Sequence, residues 1–343
     1  MAPCNTAASA VAIEEGCFAP STAAGRARED GAMRILVTGG AGFVGSHLVE
    51  RLLRDGHAVR VLDDFSTGRR DNLAFAGAHE PLEIVEGDIR DAGTVCSAMR
   101  NVDGVFHEAA LVSVPRSVEA PELSCDINAH GTARVLDAAR AAGVRRVVFA
   151  SSAAVYGDIA DLPVSERAPA RPLSPYGLDK LYAEQLGALY HALYGVETVA
   201  LRYFNVFGPR QDPSSSYSGV ITVFVTRLIA GEPVTIYGDG EQSRDFVYVA
   251  DIVEANVRAM FRAYAGPAPL NVGGGVRTTL NALVRTLGEV LRVRPRIDYV
   301  APRAGEIRDS HADISAIRGR LGYAPQWTVR AGLEALVAAA RPR

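Results

Sequence analysis

The stretch Arg34-Ile-Leu-Val-Thr-Gly-Gly-Ala-Gly-Phe-Val-Gly45 constrains this chain more than any other. The aliphatic run Ile35 to Val37 reads as a buried parallel strand, and it breaks at Gly39-Gly40. A helical pattern starts near Phe43 and continues through Leu48, Val49, Leu52 and Leu53. Strand, glycine turn and helix together predict a dinucleotide-binding opening. Gly39 permits the tight turn, Gly42 lets the backbone approach a pyrophosphate, and Gly45 lets the helix pack close to the strand. The free N–H groups and positive dipole end of the new helix then face the phosphates. Asp63, ending the next strand (Ala58 to Leu62), stands where an acidic residue binds the adenine ribose hydroxyls.

At 343 residues the chain is long enough for two lobes. Its net charge of -3 implies no basic field for nucleic acid or anionic lipid, and no apolar run reaches the length of a membrane span. The four cysteines show neither metal spacing nor a paired framework, so a reducing cytoplasmic compartment is expected. Residues 1–32, rich in alanine and small residues without sustained periodicity, read as a disordered extension, with Met33 as an alternative start.

Strands and helices alternate from there. A polar loop, Asp64 to Asn72, leads into a short helix, and Leu82 to Val85 reads as a strand closed by Gly87-Asp88-Ile89. Asp88 could accept the adenine amino group with Ile89 covering the ring, or Asp88 could cap the helix at Ala92. Gly104 to His107 is another buried strand, and the small residues after it, including Ala109, suit close approach by a dinucleotide. His107 itself reads as a structural histidine. A helical pattern runs from about Ala120 to Ala142, and Asn128 within it could brace the active-site backbone or face water.

The strand Arg145 to Phe149 leads to Ser151 and Ser152, at the strand end where ligands sit in such sheets. Ser174 and Pro175 then open a helix that stops at Gly195 and carries Tyr176 and Lys180 one turn apart on one face. A free tyrosine, with a pKa near ~10, is a poor base at neutral pH. An ammonium one turn away and a cationic nicotinamide would favour the phenolate, with Ser152 sharing the substrate proton. After the strand Glu197 to Tyr203 the alternation breaks, which predicts a smaller second lobe.

With these residues in place the chain resembles the extended short-chain dehydrogenase/reductase family, specifically nucleotide-sugar epimerases of the UDP-glucose/UDP-N-acetylglucosamine 4-epimerase type. The resemblance covers about residues 33–335 and rests on Thr38 to Gly45, Asp63, Gly87-Asp-Ile89, Asn128, Ser151-Ser152, Tyr176 with Lys180, Arg202-Tyr-Phe-Asn205, Arg244-Asp-Phe246 and Asn271-Val-Gly273. It implies an α/β fold with a Rossmann-type doubly wound parallel sheet and a smaller carboxyl-terminal substrate lobe. The NAD-binding domain would span 33–203 and the substrate lobe 204–343, with about 245–275 returning to the first. Phe43, Val44 and Tyr203 join the cofactor site on this basis, and Asn205, Arg244 and Arg303 would hold the diphosphate of a UDP-hexose. No metal is implied, and a homodimer is expected through the helices at about 120–142 and 176–194.

Related dehydratases carry an Asp-Glu pair, and decarboxylases a glutamate, where this chain has Ala153 and Ala154. No extra acid–base group is therefore expected, which leaves 4-epimerisation: oxidation at C4, turnover of the keto sugar, and reduction on its other face with NAD retained. Alternatives are a UDP-glucuronate 4-epimerase, a net sugar-nucleotide dehydrogenase or reductase, and a non-catalytic NAD-binding regulator. The place of Ser310 is a tyrosine in members restricted to plain hexoses. A serine there leaves room for an acetamido group, or merely caps a turn.

Overall fold

The structure is a computed structural model in which residues 31–212, 219–263, 266–302 and 307–340 are described. Most of the extension expected at residues 1–32, and the candidate ligand Arg303, lie outside the described residues.

The first strand, β1 (Arg34–Thr38), enters a glycine turn and then helix α1 (Phe43–Arg54). β2 (Ala58–Asp63) and β3 (Leu82–Glu86) follow, then α2 (Ala92–Ala98) and β4 (Gly104–His107). The expected short helix before β3 is only a 3-10 turn, Arg70–Leu73. After α3 (Val114–Glu119), the helix expected from Ala120 to Ala142 is a series of pieces: α4 (Pro121–Cys125), a π segment (Asp126–His130) and α5 (Gly131–Ala141). Pro121 sits in the first turn of α4, where a missing N–H is harmless, so it restarts the helix after Ala120.

β5 (Arg146–Ser152) runs three residues past the aliphatic run, because Ser151 and Ser152 still pair with Arg202 and Tyr203 of β6 (Glu197–Tyr203). Between them lies α6 (Pro175–Tyr194), capped by the Ser174 side chain and closed by Gly195 in the left-handed region. The sheet is completed by β10, Leu270–Val272, which comes from far along the chain and pairs with β6. Its order is β10-β6-β5-β4-β1-β2-β3 and every pairing is parallel, so the order reverses between β1 and β4. Ligands bind outside the strand ends at such a reversal.

Strand side chains alternate between two cores. Ile35, Val37 and Val148 pack with α1 and with the helix Val249–Phe261, whereas Leu36, Val147 and Phe149 pack with α2, α5 and α6. A third core lies outside the sheet. It gathers β7 (Asn205–Phe207), α7 (Val220–Ile229), β8 (Val234–Tyr237) and β9 (Ser243–Tyr248) with the helices Leu280–Leu291 and Val329–Ala340. Among the described residues no helix is long and apolar enough to cross a membrane, and no cluster of potential metal ligands occurs. Among the described residues, Cys125 is a free thiol.

Candidate active site

The glycine turn is built as its sequence requires. Gly39 has φ +68, and a Cβ there would lie 2.6 Å from the Ala109 nitrogen. A Cβ on Gly45 would lie 2.1 Å from the Gly39 carbonyl oxygen, so only glycine lets α1 approach β1 this closely. A Cβ on Gly42 would meet only the Gly39 oxygen, at 3.1 Å, and otherwise points into open space. Gly42 caps α1 without a side-chain bond, and the first-turn N–H groups of Phe43, Val44 and Gly45 have no intrahelical acceptor. This cradle fits a pyrophosphate.

Asp63 lies at the end of β2, buried, and accepts the Ala41 N–H at 2.8 Å and the Phe65 N–H at 2.9 Å. Each oxygen keeps acceptor capacity for a ribose diol. Burial raises its pKa despite these bonds. Asp88 is engaged by Arg90, which donates from its backbone to Oδ1 at 2.8 Å and from Nη2 to Oδ2 at 2.6 Å. The capping alternative for Asp88 fails: the cap of α2 is Asp91, which accepts the Thr94 N–H. Ile89 is buried, with its side chain against Gly131 at the start of α5.

Of the two possibilities for Asn128, the bracing one is observed. Its Oδ1 accepts the Leu111 N–H at 2.8 Å and its Nδ2 donates to the Leu111 carbonyl, which fixes the loop after β4. Asn128 lies in the π segment, a register change that often marks functional positions in helices. His107 is structural: its nitrogens contact Thr38 and Thr132 hydroxyls at 2.7 and 3.0 Å, and burial pushes it down to about 3.

Tyr176 and Lys180 both point from α6 toward the end of β5. The Tyr176 hydroxyl faces Ser152, whose side chain favours its ionised form, and the Ser152 hydroxyl accepts the Ala154 N–H at 3.1 Å. Lys180 Nζ donates to the Ala150 carbonyl at 2.8 Å and lies 5.8 Å from the Tyr176 ring centroid. Gly177 allows the approach, since a Cβ there would lie 2.7 Å from the Ala154 oxygen. The expectation that Lys180 lowers the tyrosine pKa is not met in the protein alone. Burial dominates, pushing Tyr176 up to about 12 and Lys180 down to about 8.

A further carboxyl group stands here. Glu108, directly after β4, is pushed up to about 7 by burial, against the influence of its Tyr203 hydrogen bond and of Lys180. The Tyr203 hydroxyl donates to Glu108 Oε1 at 2.9 Å and accepts from Asn256 Nδ2 at 2.6 Å. The turn Ala153–Val155 carries no acid–base side chain, as its sequence reads; this carboxyl arrives instead from the end of the neighbouring strand.

The substrate candidates lie beyond β6. Asn205 opens β7 and pairs with Phe246 of β9. Arg244 on β9 donates to the Ser243 and Arg308 carbonyls at 2.8 and 3.0 Å. Ser310 lies on a strap that bridges to β9, its N–H donating to the Ser243 carbonyl at 3.1 Å. The next helix, Ser315–Leu321, has Ile314 as its N-cap, so Ser310 does not cap it. A cavity of about 440 Å³ lined by Tyr237, Gln242, Pro302 and Arg308 adjoins this strap.

Residues 35–273 match the model of the NAD dependent epimerase/dehydratase family. The chain belongs to this family. A UDP-glucose 4-epimerase of Mycolicibacterium smegmatis is 42% identical over 303 residues, covering 88% of this chain and 96% of that protein. The structure of UDP-N-acetylglucosamine 4-epimerase from Methanobrevibacter ruminantium, in complex with UDP-N-acetylmuramic acid, has TM-score 0.86 and 38% identity over 90% of this chain and 98% of that one. The Thermus thermophilus UDP-glucose 4-epimerase, complexed with NAD, has TM-score 0.82 and 37% identity, covering 90% of this chain and 98% of that one.

Membership in the epimerase/dehydratase family makes the chain NAD-dependent, in keeping with the glycine cradle and the acceptor at Asp63. Sequence reasoning missed Glu108 and Asn256, which are joined through the Tyr203 hydroxyl. A signal was present for the first: a glutamate follows directly on the four buried residues of β4. Asn256 is 148 positions away on another helix, and only the fold brings it near.

Proposed function

We propose that the chain is an NAD-dependent UDP-sugar 4-epimerase, an isomerase. The observation that carries this is the Ser152–Tyr176–Lys180 group at the end of β5, above a turn whose Ala153 and Ala154 supply no acid for water elimination. Bound NAD supplies the hydride acceptor at C4 and later the donor. The protein's own part is proton handling and anchoring. Tyr176 takes the proton of the sugar 4-hydroxyl with Ser152 in the hydrogen-bond path, and Lys180, with the cationic cofactor, offsets the burial that opposes the phenolate. Gly42, Phe43, Val44 and Gly45 hold the pyrophosphate, and Asp63 holds the ribose and disfavours a 2′-phosphate. Asn128 braces the loop beside Ala109. Asn205, Arg244 and Arg303 hold the UDP diphosphate. In this assignment the large sheet serves NAD, and the third core serves the UDP-hexose.

The test is incubation with a panel of UDP-hexoses without added NAD. Purified protein should carry NAD or NADH and interconvert 4-epimers, with a transient rise in reduced-nicotinamide absorbance. A requirement for continuous NAD(P), with release of a keto or acid product, would overturn the epimerase reading in favour of a net dehydrogenase.

We extend the substrate reading to UDP-N-acetylglucosamine and UDP-N-acetylgalactosamine, with the plain hexoses also turned over. Support comes from the small side chain of Ser310 on the strap beside β9, and from the Methanobrevibacter relative, whose named substrate is N-acetylated. Ser310→Tyr is expected to suppress the N-acetylated pair selectively. Equal loss on both pairs, or none on either, would show that Ser310 is not the gate.

We also propose a homodimer. Leu178, Tyr182, Leu189 and Leu193 form an exposed apolar stripe along α6, with Val118 of α3 also exposed. Sedimentation of the purified protein would read the mass. The localisation we propose is cytoplasmic.

A further inference from the structure

We propose that Glu108 is a positioning residue for this reaction: its carboxyl group, held by the Asn256–Tyr203 hydrogen-bond chain, sets the charge balance around Lys180 and Tyr176. The inference rests on the reading of Tyr176 as the base and goes beyond it by adding a third ionisable group.

The geometry is directional. Asn256 Nδ2 donates to the Tyr203 oxygen at 2.6 Å, so the Tyr203 hydroxyl proton is aimed at Glu108 Oε1, 2.9 Å away. Asn256 is itself fixed by a second donation from Nδ2, to the Ile252 carbonyl at 2.9 Å. At the other end, the Glu108 backbone is tied by its N–H to the Thr38 carbonyl at 3.1 Å, beside the glycine turn. Elements from three directions therefore hold this carboxyl at the reversal between β1 and β4.

The groups facing it can be named from each packed element. From α6 come Lys180 and Tyr176, and from β6 comes Tyr203. His107, its neighbour on β4, is neutral at working pH. Lys180 is also faced by Asp179 and Glu184, but both are committed elsewhere. Asp179 accepts from Ser124 and Asn128, and Glu184 is paired with Arg202. Glu108 is the carboxyl that acts on both members of the tyrosine–lysine pair. Ionised, it favours the charged ammonium and disfavours the phenolate, and protonated it does neither.

The signs follow. Removing the charge takes away an anion that raises Tyr176, so the tyrosine should lose its proton at lower pH. It also takes away a partner that raises Lys180, so the ammonium should discharge at lower pH too. Glu108→Gln keeps the shape and can still accept the Tyr203 hydroxyl. It is expected to move both limbs of the kcat–pH profile to lower pH, by roughly one pH unit. Tyr203→Phe removes the bond that favours the ionised carboxyl, so it should move them the same way by less. The double variant should coincide with Glu108→Gln alone.

The measurement is the pH profile of UDP-hexose epimerisation by the holoenzyme, paired with NMR of ring-labelled tyrosine. The Tyr176 signal is assigned by its absence in Tyr176→Phe. Profile and signal moving together support the proposal. Both unmoved in Glu108→Gln, with only thermal stability changed, would overturn it. Should Glu108→Gln fail to fold, Tyr203→Phe decides by the same criterion. A signal that moves while the rate profile stays would leave the role of Glu108 standing and overturn Tyr176 as the base.

Discussion

Tyr176→Phe is expected to lower kcat by ~10²–10⁴-fold, the range general acid–base catalysis usually contributes. The ring stays, so its buried position at the start of α6 should be kept. What goes is the hydroxyl that faces Ser152. NAD content and UDP-sugar affinity should change little, because the glycine cradle, Asp63 and the arginines are untouched. Stopped-flow absorbance of the reduced nicotinamide would separate the two effects: bound cofactor retained, its transient reduction slowed. Near-normal kcat in this variant would remove Tyr176 from its role.

Arg202→Met is expected to cost roughly 3–5 kcal/mol of folding stability, the range for breaking a buried ion pair from one side. The Arg202 guanidinium meets the Glu184 carboxylate in a fork, Nε to Oε1 at 2.8 Å and Nη2 to Oε2 at 2.6 Å, with side chains only 5% and 6% exposed. It also lies 4.7 Å from the Tyr156 ring centroid. Methionine would leave the Glu184 carboxylate buried, with the Ser151 hydroxyl as its remaining donor. The double variant Arg202→Met/Glu184→Leu should regain much of the loss, since the buried charge is then gone too. Urea unfolding midpoints would test both. A single variant as stable as the wild type would mean that water reaches Glu184. Activity should suffer as well, because Ser151 and Arg202 immediately precede Ser152 and Tyr203 on their strands.

Local rules sufficed for much of this chain. The glycine turn, Asp63 at its strand end, the Ser174 cap with Gly195 as the stop, and Tyr176 one turn from Lys180 were all legible. Each depends on backbone conformation or on spacing within one element, which neighbouring residues encode. Their convergence at one sheet edge was also legible, because a parallel sheet places all strand ends together. The element boundaries that departed did so through pairing across elements: β5 extends to Ser152 only because β6 offers partners, and the helix near Asn128 changes register as its amide meets the loop after β4.

What the tertiary structure alone decided is electrostatic. Spacing on a helix predicts that Lys180 can face Tyr176, but not how much water remains around them. Burial pushes the tyrosine up and the lysine down, opposite to the direction expected from their charges alone. Glu108, Tyr203 and Asn256 come from three elements distant in the chain, and Glu184 on α6 meets Arg202 on β6. Such contacts obey no period in the sequence. They depend on which side chains the sheet and its flanking helices bring out of water together, and there an unpaired charge costs far more than at the surface.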